Sequence, residues 1–354
     1  SMVCAGRIAS TRMLGERLAA RTLELIDVPS ESRDEAALFA HVLGVLRDGG
    51  VPVADHGDLC LVAGTDDAPI ALAGHFDTVP AQGNRPGRRG DGAVHGLGAA
   101  DMKGALAVMV ELALAGLPFR YVFFPREELP QADSALTPLL EREPSLRSLR
   151  LAVVMEPTTN TLHAGCVGNI NARLVATGRS GHSARPWTAV NAIHRLAEAV
   201  TQVAAVPYEE REFEGLTFVE AMSVTEISGG IAQNVVPDAA EAGVNYRYAP
   251  GRSAADADDR LRSVVTVEGV EVVIDSNAPS GAVPQGNPLV ERLRAMGLEW
   301  APKQAWTPVA EFALAGVDAV NFGPGEPRFA HTRDEQVSVD ALVRSYEVLV
   351  ELAR

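Results

Sequence analysis

The sequence predicts an α/β protein with an α+β domain inserted into it. In the first half of the chain, short apolar runs alternate with segments of helical periodicity, as in a sheet flanked by helices. From Ile170 onward, apolar and polar residues alternate as in a sheet with one buried face, and a glycine- and proline-rich stretch near 279–286 ends this pattern. We therefore predict a first domain over residues 1–168 and 284–354, and an inserted domain over residues 169–283.

The predicted elements follow from these periodicities. In the first domain they are a helix at about 11–27, strands near 59–64 and 69–74, a helix near 102–116, a strand near 119–124, a helix near 134–142 and a strand near 150–155. In the inserted domain they are strand 170–176, helix 189–204, strands near 217–228 and 239–248, and helix 253–265. After the insertion come a helix, strand 318–322 and helix 339–353.

Histidine and acidic residues stand at the ends of several apolar runs. The run Ala71–Gly74 leads into His75, and Asp77 follows two residues later. Alternation along a strand points both side chains the same way, so we expect the Asp77 carboxylate to accept one ring N–H of His75 while the other nitrogen binds metal. The alternative is a turn histidine followed by a capping aspartate.

A glycine-rich loop, Gly96–Gly104, leads into the next buried helix and contains Asp101. A carboxylate can offer one oxygen to each of two metal ions, which a histidine cannot easily do. The alternative for Asp101 is a helix N-cap. The loop also resembles a phosphate-binding loop, but it lacks the third glycine and the Lys-Ser/Thr ending, which disfavours nucleotide binding.

Two further strands end in acids. Strand 119–124 leads into Glu127 and Glu128, and the strand near 150–155 leads into Glu156. Adjacent residues at a strand end point to different sides, so one glutamate can bind metal while its neighbour transfers protons. We predict Glu128 as a ligand and Glu127 as the general base, which takes a proton from water and returns it to the leaving amine. In isolation, a solvated Glu-Glu turn would be the simpler interpretation.

With His331, these segments supply two imidazoles and five carboxylates. This ligand chemistry suits two Zn²⁺ ions that share a carboxylate, and we expect Co²⁺ to substitute for Zn²⁺. The pattern therefore predicts a hydrolase.

Seven motifs are spread in order over most of the chain: His75-Phe76-Asp77-Thr78-Val79-Pro80, Ala100-Asp101-Met102-Lys103-Gly104, Glu127-Glu128, Glu156-Pro157-Thr158, Gly181-His182-Ser183-Ala184, Gly229-Gly230-x-x-x-Asn234-Val235-Val236-Pro237 and Phe329-Ala330-His331. Together they resemble the M20 family of dinuclear zinc amidohydrolases and peptidases. Within that family, the stretches around Cys166, Trp187 and Phe322 are most similar to actinobacterial succinyl-diaminopimelate desuccinylases.

The resemblance implies a zinc-exopeptidase-like catalytic domain, a mixed sheet flanked by helices, with an inserted dimerisation or lid domain. It implies that His75, Asp101 and Glu156 hold one zinc ion. Asp101, Glu128 and His331 would hold the other. Glu127 would be the general base, and the active form would be a homodimer.

The resemblance also assigns roles to residues of the inserted domain. His182 would reach into the active site of the partner subunit and stabilise the tetrahedral oxyanion. Asn234 would add a polar contact beside that oxyanion, and Arg247 would pair with a substrate carboxylate in a bidentate manner. The alternatives are an ordinary turn residue for His182 and a surface ion pair for Arg247.

The activity implied is metal-dependent hydrolysis of the amide bond of an N-acyl amino acid. The expected substrate is N-succinyl-LL-2,6-diaminopimelate, which would give succinate and diaminopimelate for lysine and cell-wall precursor biosynthesis. One alternative is another M20 activity, such as acetylornithine deacetylase, aminoacylase or dipeptidase. The other is a catalytically silent zinc-binding relative.

One stretch departs from the desuccinylase pattern Trp-Thr-Asp-x-x-Arg-Phe. Here the chain reads Trp306-Thr307-Pro308-Val309-Ala310-Glu311-Phe312, so an acid replaces an arginine. An acid would repel a substrate carboxylate. Our hypothesis is that Glu311 meets a substrate amine, or that the substrate lacks a second carboxylate.

Composition narrows the possible partners. The chain has 46 acidic against 31 basic residues and a formal net charge of −15, which disfavours nucleic acid and anionic membranes. Its cysteines, Cys4, Cys60 and Cys166, show no paired spacing, so neither a disulfide framework nor a thiolate zinc site is indicated. Since the sequence also shows no signal-peptide pattern, we expect a cytoplasmic enzyme with a small-molecule substrate.

Overall fold

The structure is a computed structural model that describes the backbone of residues 2–354 and the side chains from Thr11 onward. The chain divides into two compact units. Unit 1 contains the chain up to Ala164 together with Val283–Ala301 and Thr307–Arg354, and unit 2 contains Gly165–Ala282 and Pro302–Trp306. The function of unit 2 as a dimerisation or lid domain stays a prediction.

The helices are α1 (Met2–Asp27), α2 (Ala36–Asp48), α3 (Gly104–Leu114), α4 (Leu136–Arg142), α5 (Ala192–Ala204), α6 (Ala254–Val264), α7 (Pro288–Ala295), α8 (Val309–Leu314) and α9 (Val339–Leu352). The strands are β1 (Val53–Asp55), β2 (Leu61–Gly64), β3 (Ile70–His75), β4 (Arg88–Gly90), β5 (Ala93–His95), β6 (Arg120–Phe124), β7 (Leu151–Val154), β8 (Leu162–Ala164), β9 (Gly168–Thr177), β10 (Gly181–His182), β11 (Glu209–Phe213), β12 (Leu216–Gly229), β13 (Val235–Val236), β14 (Ala239–Tyr248), β15 (Val270–Ala278), β16 (Trp300–Pro302), β17 (Ala319–Asn321) and β18 (Gln336–Ser338). Within this described part of the chain, no helix combines the length and the apolar character needed to cross a bilayer.

The larger sheet is mixed and has eight strands in the order β1-β2-β6-β3-β7-β17-β8-β16. Its central strands β6, β3, β7 and β17 run parallel. Strand β3 is buried along its whole length, as its nearly continuous apolar sequence predicts. Since the carboxyl ends of parallel strands meet at one edge of a sheet, the segments after these four strands are brought together.

Helix α3 lies within the core of unit 1. Every residue from Gly104 to Ala113 is buried, which fits a helix that is apolar on all sides. Glu111 is its acidic exception, and the carboxylate pairs with Arg17 at 2.8 Å and Arg21 at 3.0 Å. These contacts join α3 to α1, and both helices also pack against α9.

Unit 2 is built on a five-stranded sheet in the order β11-β12-β14-β9-β15, whose pairs are all antiparallel. Along β9, buried positions alternate with more exposed ones, as the period-two pattern predicts. Helices α5 and α6 pack on this sheet, and their apolar residues share one core with it. The fold class predicted from the sequence, an α/β domain with an inserted α+β domain, therefore describes these two units.

Some predicted elements differ in their ends. The helix expected from residue 102 begins at Gly104, because Asp101 and Met102 have non-helical backbone angles. The helix expected from residue 189 begins at Ala192, because the Asn191 side chain accepts the N–H groups of the first turn. The sequence analysis did not predict β11 or β15, and a bulge that interrupts β15 explains why its alternation was weak.

Candidate metal centre

The parallel strands of unit 1 bring the predicted ligands to one edge of the sheet. Strand β3 ends at His75, β6 is followed by Glu127 and Glu128, and β7 is followed by Glu156. His331 lies in the segment after β17. The structure therefore places these five residues beside one another, although they come from distant parts of the sequence.

The His75 side chain is 0% exposed and is held at both ring nitrogens. Nδ1 lies 3.0 Å from the main-chain oxygen of Asp77, and Nε2 lies 3.2 Å from Asp101 Oδ1. The Asp77 carboxylate, which the sequence predicts as the acceptor of the Nδ1 proton, lies 3.5 Å from Nδ1. It is an ion-pair partner of the ring, and the Asp77 carbonyl is the nearer acceptor. Either acceptor leaves Nε2 for a metal ion.

The Asp77 carboxylate also organises the turn after β6. It accepts the backbone N–H of Glu127 at 2.9 Å, the backbone N–H of Glu128 at 3.0 Å and the Ser32 hydroxyl at 2.9 Å. Burial raises the pKa of Asp77, but hydrogen bonding to His75 and to these backbone groups outweighs burial and lowers it overall. Asp77 therefore fixes the backbone that carries the two glutamates.

Asp101 lies between the two histidines. Its Oδ1 faces His75 Nε2, and its Oδ2 lies 3.5 Å from His331 Nε2. The peptide bond between Asp101 and Met102 is cis. The N-cap of α3 is Lys103, so the alternative that Asp101 caps this helix does not hold.

His331 is the more exposed histidine of the site, with 51% of its side chain accessible. Its Nε2 lies 3.0 Å from Glu128 Oε1. Its backbone has φ +61°, and its carbonyl accepts a hydrogen bond from the Gln82 side chain at 2.9 Å. The Asn84 side chain donates to the next carbonyl, that of Thr332, at 3.3 Å. A loop and these two side chains therefore set the position of His331.

The site crowds negative charge into a buried space. Burial, and next the charge of Glu156, raises the pKa of Glu127 well above its usual range. Burial and the charge of Asp101 raise the pKa of Glu128. Hydrogen bonds to Asp101 and Glu128 raise the pKa of His331 to about 11. Divalent cations would neutralise the same carboxylates, so the electrostatics of the cluster fit a metal centre.

The spacing of the ligand atoms supplies a geometric test. Tetrahedral zinc with bonds of about 2.0 Å separates its ligand atoms by about 3.3 Å. His75 Nε2 lies 3.2 Å from Asp101 Oδ1 and 3.6 Å from Glu156 Oε1. His331 Nε2 lies 3.0 Å from Glu128 Oε1 and 3.5 Å from Asp101 Oδ2. These separations fit two ions that share Asp101, and the ligand roles themselves remain predictions.

Glu311 lies in the interior of unit 1. Its side chain accepts hydrogen bonds from the Thr137 backbone N–H at 3.1 Å, the Thr137 hydroxyl at 2.6 Å and the Ser134 hydroxyl at 3.3 Å. Glu311 is 2% exposed, and burial raises its pKa to about 6. The hypothesis that Glu311 meets a substrate amine is therefore wrong, because its carboxylate is occupied at the start of α4.

The predicted residues of unit 2 lie on its sheets. His182 is exposed in β10, which pairs with β13, and the Ala184 backbone N–H donates to its Nδ1 at 3.1 Å. Asn234 is exposed next to β13. Arg247 in β14 is half-buried, and its Nε donates to Asn245 Oδ1 at 2.9 Å. Burial lowers the pKa of Arg247.

The sequence analysis missed Glu335. Glu335 is 2% exposed, and its carboxylate accepts three backbone N–H groups from the loop that contains Asp101. In sequence it is one acid within Arg333-Asp334-Glu335-Gln336, a stretch typical of a solvated turn. Its position four residues after His331 was the only signal that could have drawn attention to it.

Comparison with known proteins gives a family match over most of the chain. The family described as Peptidase family M20/M25/M40 matches residues 71–354. A Mycobacterium tuberculosis protein provisionally named succinyl-diaminopimelate desuccinylase DapE is 38% identical over 339 residues, 93% of this chain and 95% of that protein. The succinyl-diaminopimelate desuccinylase of Corynebacterium glutamicum is 33% identical over 340 residues, 91% of this chain and 92% of that protein.

A solved structure shares the fold. It is a dinuclear metal binding peptidase of the M20 family from Bacillus subtilis, with a TM-score of 0.70 and 16% identity. The match covers 97% of this chain and 98% of that one. At this identity the match supports the fold alone.

Proposed function

Because this chain belongs to peptidase family M20/M25/M40, we propose that it hydrolyses the amide bond of N-succinyl-LL-2,6-diaminopimelate to succinate and diaminopimelate. The chain is a metal-dependent hydrolase of that family. The observation that carries the proposal is the 38% identity to a relative named for this reaction, which extends over 93% of the chain. The reaction adds water across the amide and releases an amine and a carboxylate.

Two Zn²⁺ ions per chain are the proposed cofactors. His75, Asp101 and Glu156 would hold one ion. His331, Asp101 and Glu128 would hold the other. The separations between each histidine nitrogen and its neighbouring carboxylate oxygens, 3.0 to 3.6 Å, support this assignment. When bound, the two ions would polarise the amide carbonyl and make a water molecule more acidic.

Glu127 is the proposed general base. Its side chain is 11% exposed, and its Oε2 lies 4.0 Å from His75 Nε2, so it borders the ligand cluster without being closest to either histidine. Burial, and next the charge of Glu156, raises the pKa of Glu127, so this carboxylate holds a proton more readily than an exposed one. Glu127 would accept a proton from the attacking water and donate it to the nitrogen of the departing amine.

His182 is the proposed donor to the oxyanion that forms on the amide carbonyl. Its Nδ1 accepts the Ala184 N–H, so the proton of the neutral ring lies on Nε2. An exposed Nε2–H is a suitable hydrogen-bond donor to a developing negative charge. Asn234 would add a second polar contact there. The Ser183 N–H donates to the Asn234 carbonyl at 3.0 Å, which keeps the two segments together.

Arg247 is the proposed contact for a substrate carboxylate. It is half-buried, and among the described side chains no carboxylate pairs with its guanidinium. Asn245, which accepts its Nε–H, is itself fixed by hydrogen bonds to Asn169 at 2.7 Å and Asn171 at 2.8 Å. A half-buried guanidinium that lacks an acidic partner is well suited to a carboxylate ligand.

A homodimer through unit 2 is the proposed assembly. Strand β12 pairs with β11 only over Leu216–Glu220, so in the described structure its outer edge over 221–229 has no strand partner. Ile227 and Ile231 near this edge are 64% and 86% exposed. Ile193 of α5 lies beside Gly229 and extends the apolar surface. An unpaired edge with apolar side chains is a template for pairing, here with β12 of a second copy.

Light scattering tests the dimer. The wild-type protein should have twice the chain mass of 37.4 kDa, and Ile227→Lys should shift it towards 37.4 kDa because charge at an edge blocks pairing. Tyr208→Lys, which replaces another exposed large hydrophobic residue, should leave the dimer intact. A wild-type monomer, or a dimer that survives Ile227→Lys, would rule out this interface.

The location and the partners also follow as proposals. Among the described cysteines, Cys60 is buried and forms no disulfide, which is consistent with a reducing cytoplasm. The net charge of −15 argues against nucleic acid as a partner. A small N-acyl amino acid is the proposed substrate class.

Substrate kinetics test the proposed function. We would measure kcat/KM with added Zn²⁺ or Co²⁺ for N-succinyl-LL-2,6-diaminopimelate, N-acetylornithine, other N-acyl amino acids and dipeptides. The succinylated substrate should give the highest value. A higher value for another substrate would assign one of the other M20 activities, and the absence of hydrolysis across the panel would point to a silent relative.

Glu127→Gln supplies the mechanistic control. It should lower kcat by about 10² to 10⁴ because the proton transfers lose their carboxylate, while two metal ions per chain remain bound. Glu141→Gln changes an exposed acid on α4 and should leave kcat unchanged. Wild-type turnover by Glu127→Gln would remove Glu127 from the mechanism.

A further inference from the structure

We propose that Glu335 is a positioning residue that holds Asp101 in the geometry needed to bridge two metal ions. The inference rests on the proposed ligand role of Asp101. It concerns a side chain that lies behind the ligand cluster, since the carboxylate of Glu335 faces the backbone of the Asp101 loop.

The contacts of Glu335 are directed at one short segment. Its Oε1 accepts the N–H of Asp101 at 3.0 Å and that of Ala100 at 3.1 Å, and its Oε2 accepts the N–H of Gly98 at 2.9 Å. A carboxylate has acceptor sites on both oxygens and no donor, so it can satisfy all three groups at once. A helix cap cannot satisfy these N–H groups, because the backbone at residues 101 and 102 is not helical.

The backbone of Glu335 is anchored as well. Its carbonyl accepts the Gly96 N–H at 3.0 Å, and the next residue, Gln336, pairs with His95 in the β18–β5 ladder. Glu335 therefore connects the chain segment that follows His331 to the loop that carries Asp101. These two segments are 234 residues apart at the Glu335–Asp101 hydrogen bond, so the contact is a purely tertiary one.

The consequence for metal binding follows from the position of Asp101. Its Oδ1 lies 3.2 Å from His75 Nε2, and its Oδ2 lies 3.5 Å from His331 Nε2. A rotation or shift of the Asp101 backbone would change both separations together. Loss of the Glu335 contacts should therefore lower the affinity for both ions, whereas loss of His331 should lower mainly the affinity for one.

The experiment measures the two Zn²⁺ dissociation constants by competition with a chelator for the wild-type protein, Glu335→Gln and Glu335→Ala. Glu335→Gln keeps the shape but turns one acceptor into a donor that faces an N–H group. We expect the affinity for both ions to fall about 10-fold in Glu335→Gln and about 100-fold in Glu335→Ala. The visible absorption spectrum of the Co²⁺-loaded protein should change in both variants, because the coordination geometry changes.

Glu111→Gln is the matched control. Glu111 is another buried acid of unit 1. It lies on α3, the helix that follows Asp101, and it forms ion pairs with Arg17 and Arg21 of α1. Urea unfolding of the metal-free proteins should show that Glu111→Gln loses stability while keeping wild-type metal affinity. This control separates a general loss of stability from a specific effect on the ligand.

The outcomes distinguish this inference from the proposed function. Wild-type affinities and an unchanged Co²⁺ spectrum in a folded Glu335→Gln protein would overturn the inference and leave the proposed function intact. A lower affinity for one ion only would also overturn the inference, because Asp101 would then not be the affected ligand. If the wild-type protein bound no divalent metal, the proposed function and the inference would fall together.

Discussion

The two histidines of the metal centre are held by different kinds of structure. His75 ends a central strand, and its side chain is 0% exposed. His331 lies in a loop, and its side chain is 51% exposed. On the strand-held side, formed by β3, β6 and β7, the sheet itself sets the positions of the ligands. On the loop-held side, formed by residues 322–335, individual hydrogen bonds set them.

This difference predicts whether a substitution lowers mainly the free energy of unfolding or mainly the metal affinity. A side chain on the strand-held side is part of the core, so a change there should destabilise the fold, and it should weaken metal binding strongly only where a ligand itself is replaced. The His331 side chain on the loop-held side is half exposed, so its replacement should affect mainly the ion that it would bind. The following predictions test this division, beginning with the largest expected effect.

Replacing each histidine by alanine should lower the free energy of unfolding by unequal amounts. In metal-free protein, His75→Ala should lower the free energy of unfolding by about 2–5 kcal/mol, because it leaves a cavity beside buried carboxylates. His331→Ala should lower it by less than about 1 kcal/mol and leave one ion bound. Urea unfolding and metal analysis measure both quantities. Equal stability losses in the two variants would contradict the division.

Two glycines test the steric limits of the two sides. A Cβ on Gly74 would lie 2.8 Å from side-chain atoms of Leu106 and Met102, whereas one on Gly325 would lie 2.1 Å from the backbone oxygen of Ala100. Gly74→Ala should therefore cost about 1–3 kcal/mol of stability with metal affinity largely retained. Gly325→Ala should weaken metal binding, because it pushes the loop next to Asp101.

Gly44→Ala is the control for both variants. Gly44 lies in α2, where an added Cβ would meet no atom within 4 Å. Alanine is the better helix former, so this variant should gain about 0.5–1 kcal/mol with unchanged metal affinity. A larger metal effect in Gly74→Ala than in Gly325→Ala would reverse the proposed division.

The pH dependence of the free energy of unfolding tests the contribution of Glu311, which lies behind the strand-held side. Burial raises its pKa from 4.5 to about 6, so the folded protein binds a proton that the unfolded chain has lost between these values. Its contribution to stability is therefore greatest below pH 4.5 and falls as the pH rises through 6. Relative to the wild-type protein, Glu311→Gln should gain up to about 2 kcal/mol between pH 4.5 and pH 7.

Urea unfolding at several pH values measures this gain. Glu141→Gln, which removes an exposed acid from the same part of unit 1, should show no comparable change with pH. A stability difference between Glu311→Gln and wild type that does not vary with pH would show that folding does not raise the pKa of Glu311.

The smallest expected effect concerns the hydrogen bond from Gln82 to the His331 carbonyl, which is 2.9 Å long and solvent-exposed. Gln82→Ala should weaken the ion bound through His331 by about 2- to 5-fold, because an exposed hydrogen bond contributes about 0.5–1 kcal/mol. Gln202→Ala removes a similar bond, to Thr266 in unit 2, and should leave metal affinity unchanged. Equal effects of the two variants would mean that Gln82 does not position His331.

Local pattern was sufficient for the fold class and for most of the site. The α/β class and the M20 resemblance are confirmed. The apolar runs that lead to His75, Glu127 and Glu156 form strands, as periodicity predicts. Parallel pairing then places such residues at one edge, a rule that needs no knowledge of side-chain contacts.

Contacts between distant segments could not be predicted in this way. The Asp77 carboxylate lies near the His75 ring as expected, but its hydrogen bonds to the backbone of Glu127 and Glu128, about 50 residues further along the chain, were not predicted. Glu311 was expected to face the substrate, but it is buried against Thr137. Periodicity reports which face of an element is buried, and it carries no information on which polar groups meet inside.

The sequence by itself determined the two kinds of domain, the order of the elements and the residues with metal-binding chemistry, because these depend on hydrophobic period and residue type. The tertiary structure decided which oxygen faces which nitrogen, that Asp101 lies between the two histidines, and that Glu335 stands behind it. The physical reason is that a buried polar group must find a partner wherever the fold brings one, and the nearest partner in space can be more than 200 residues away in the chain.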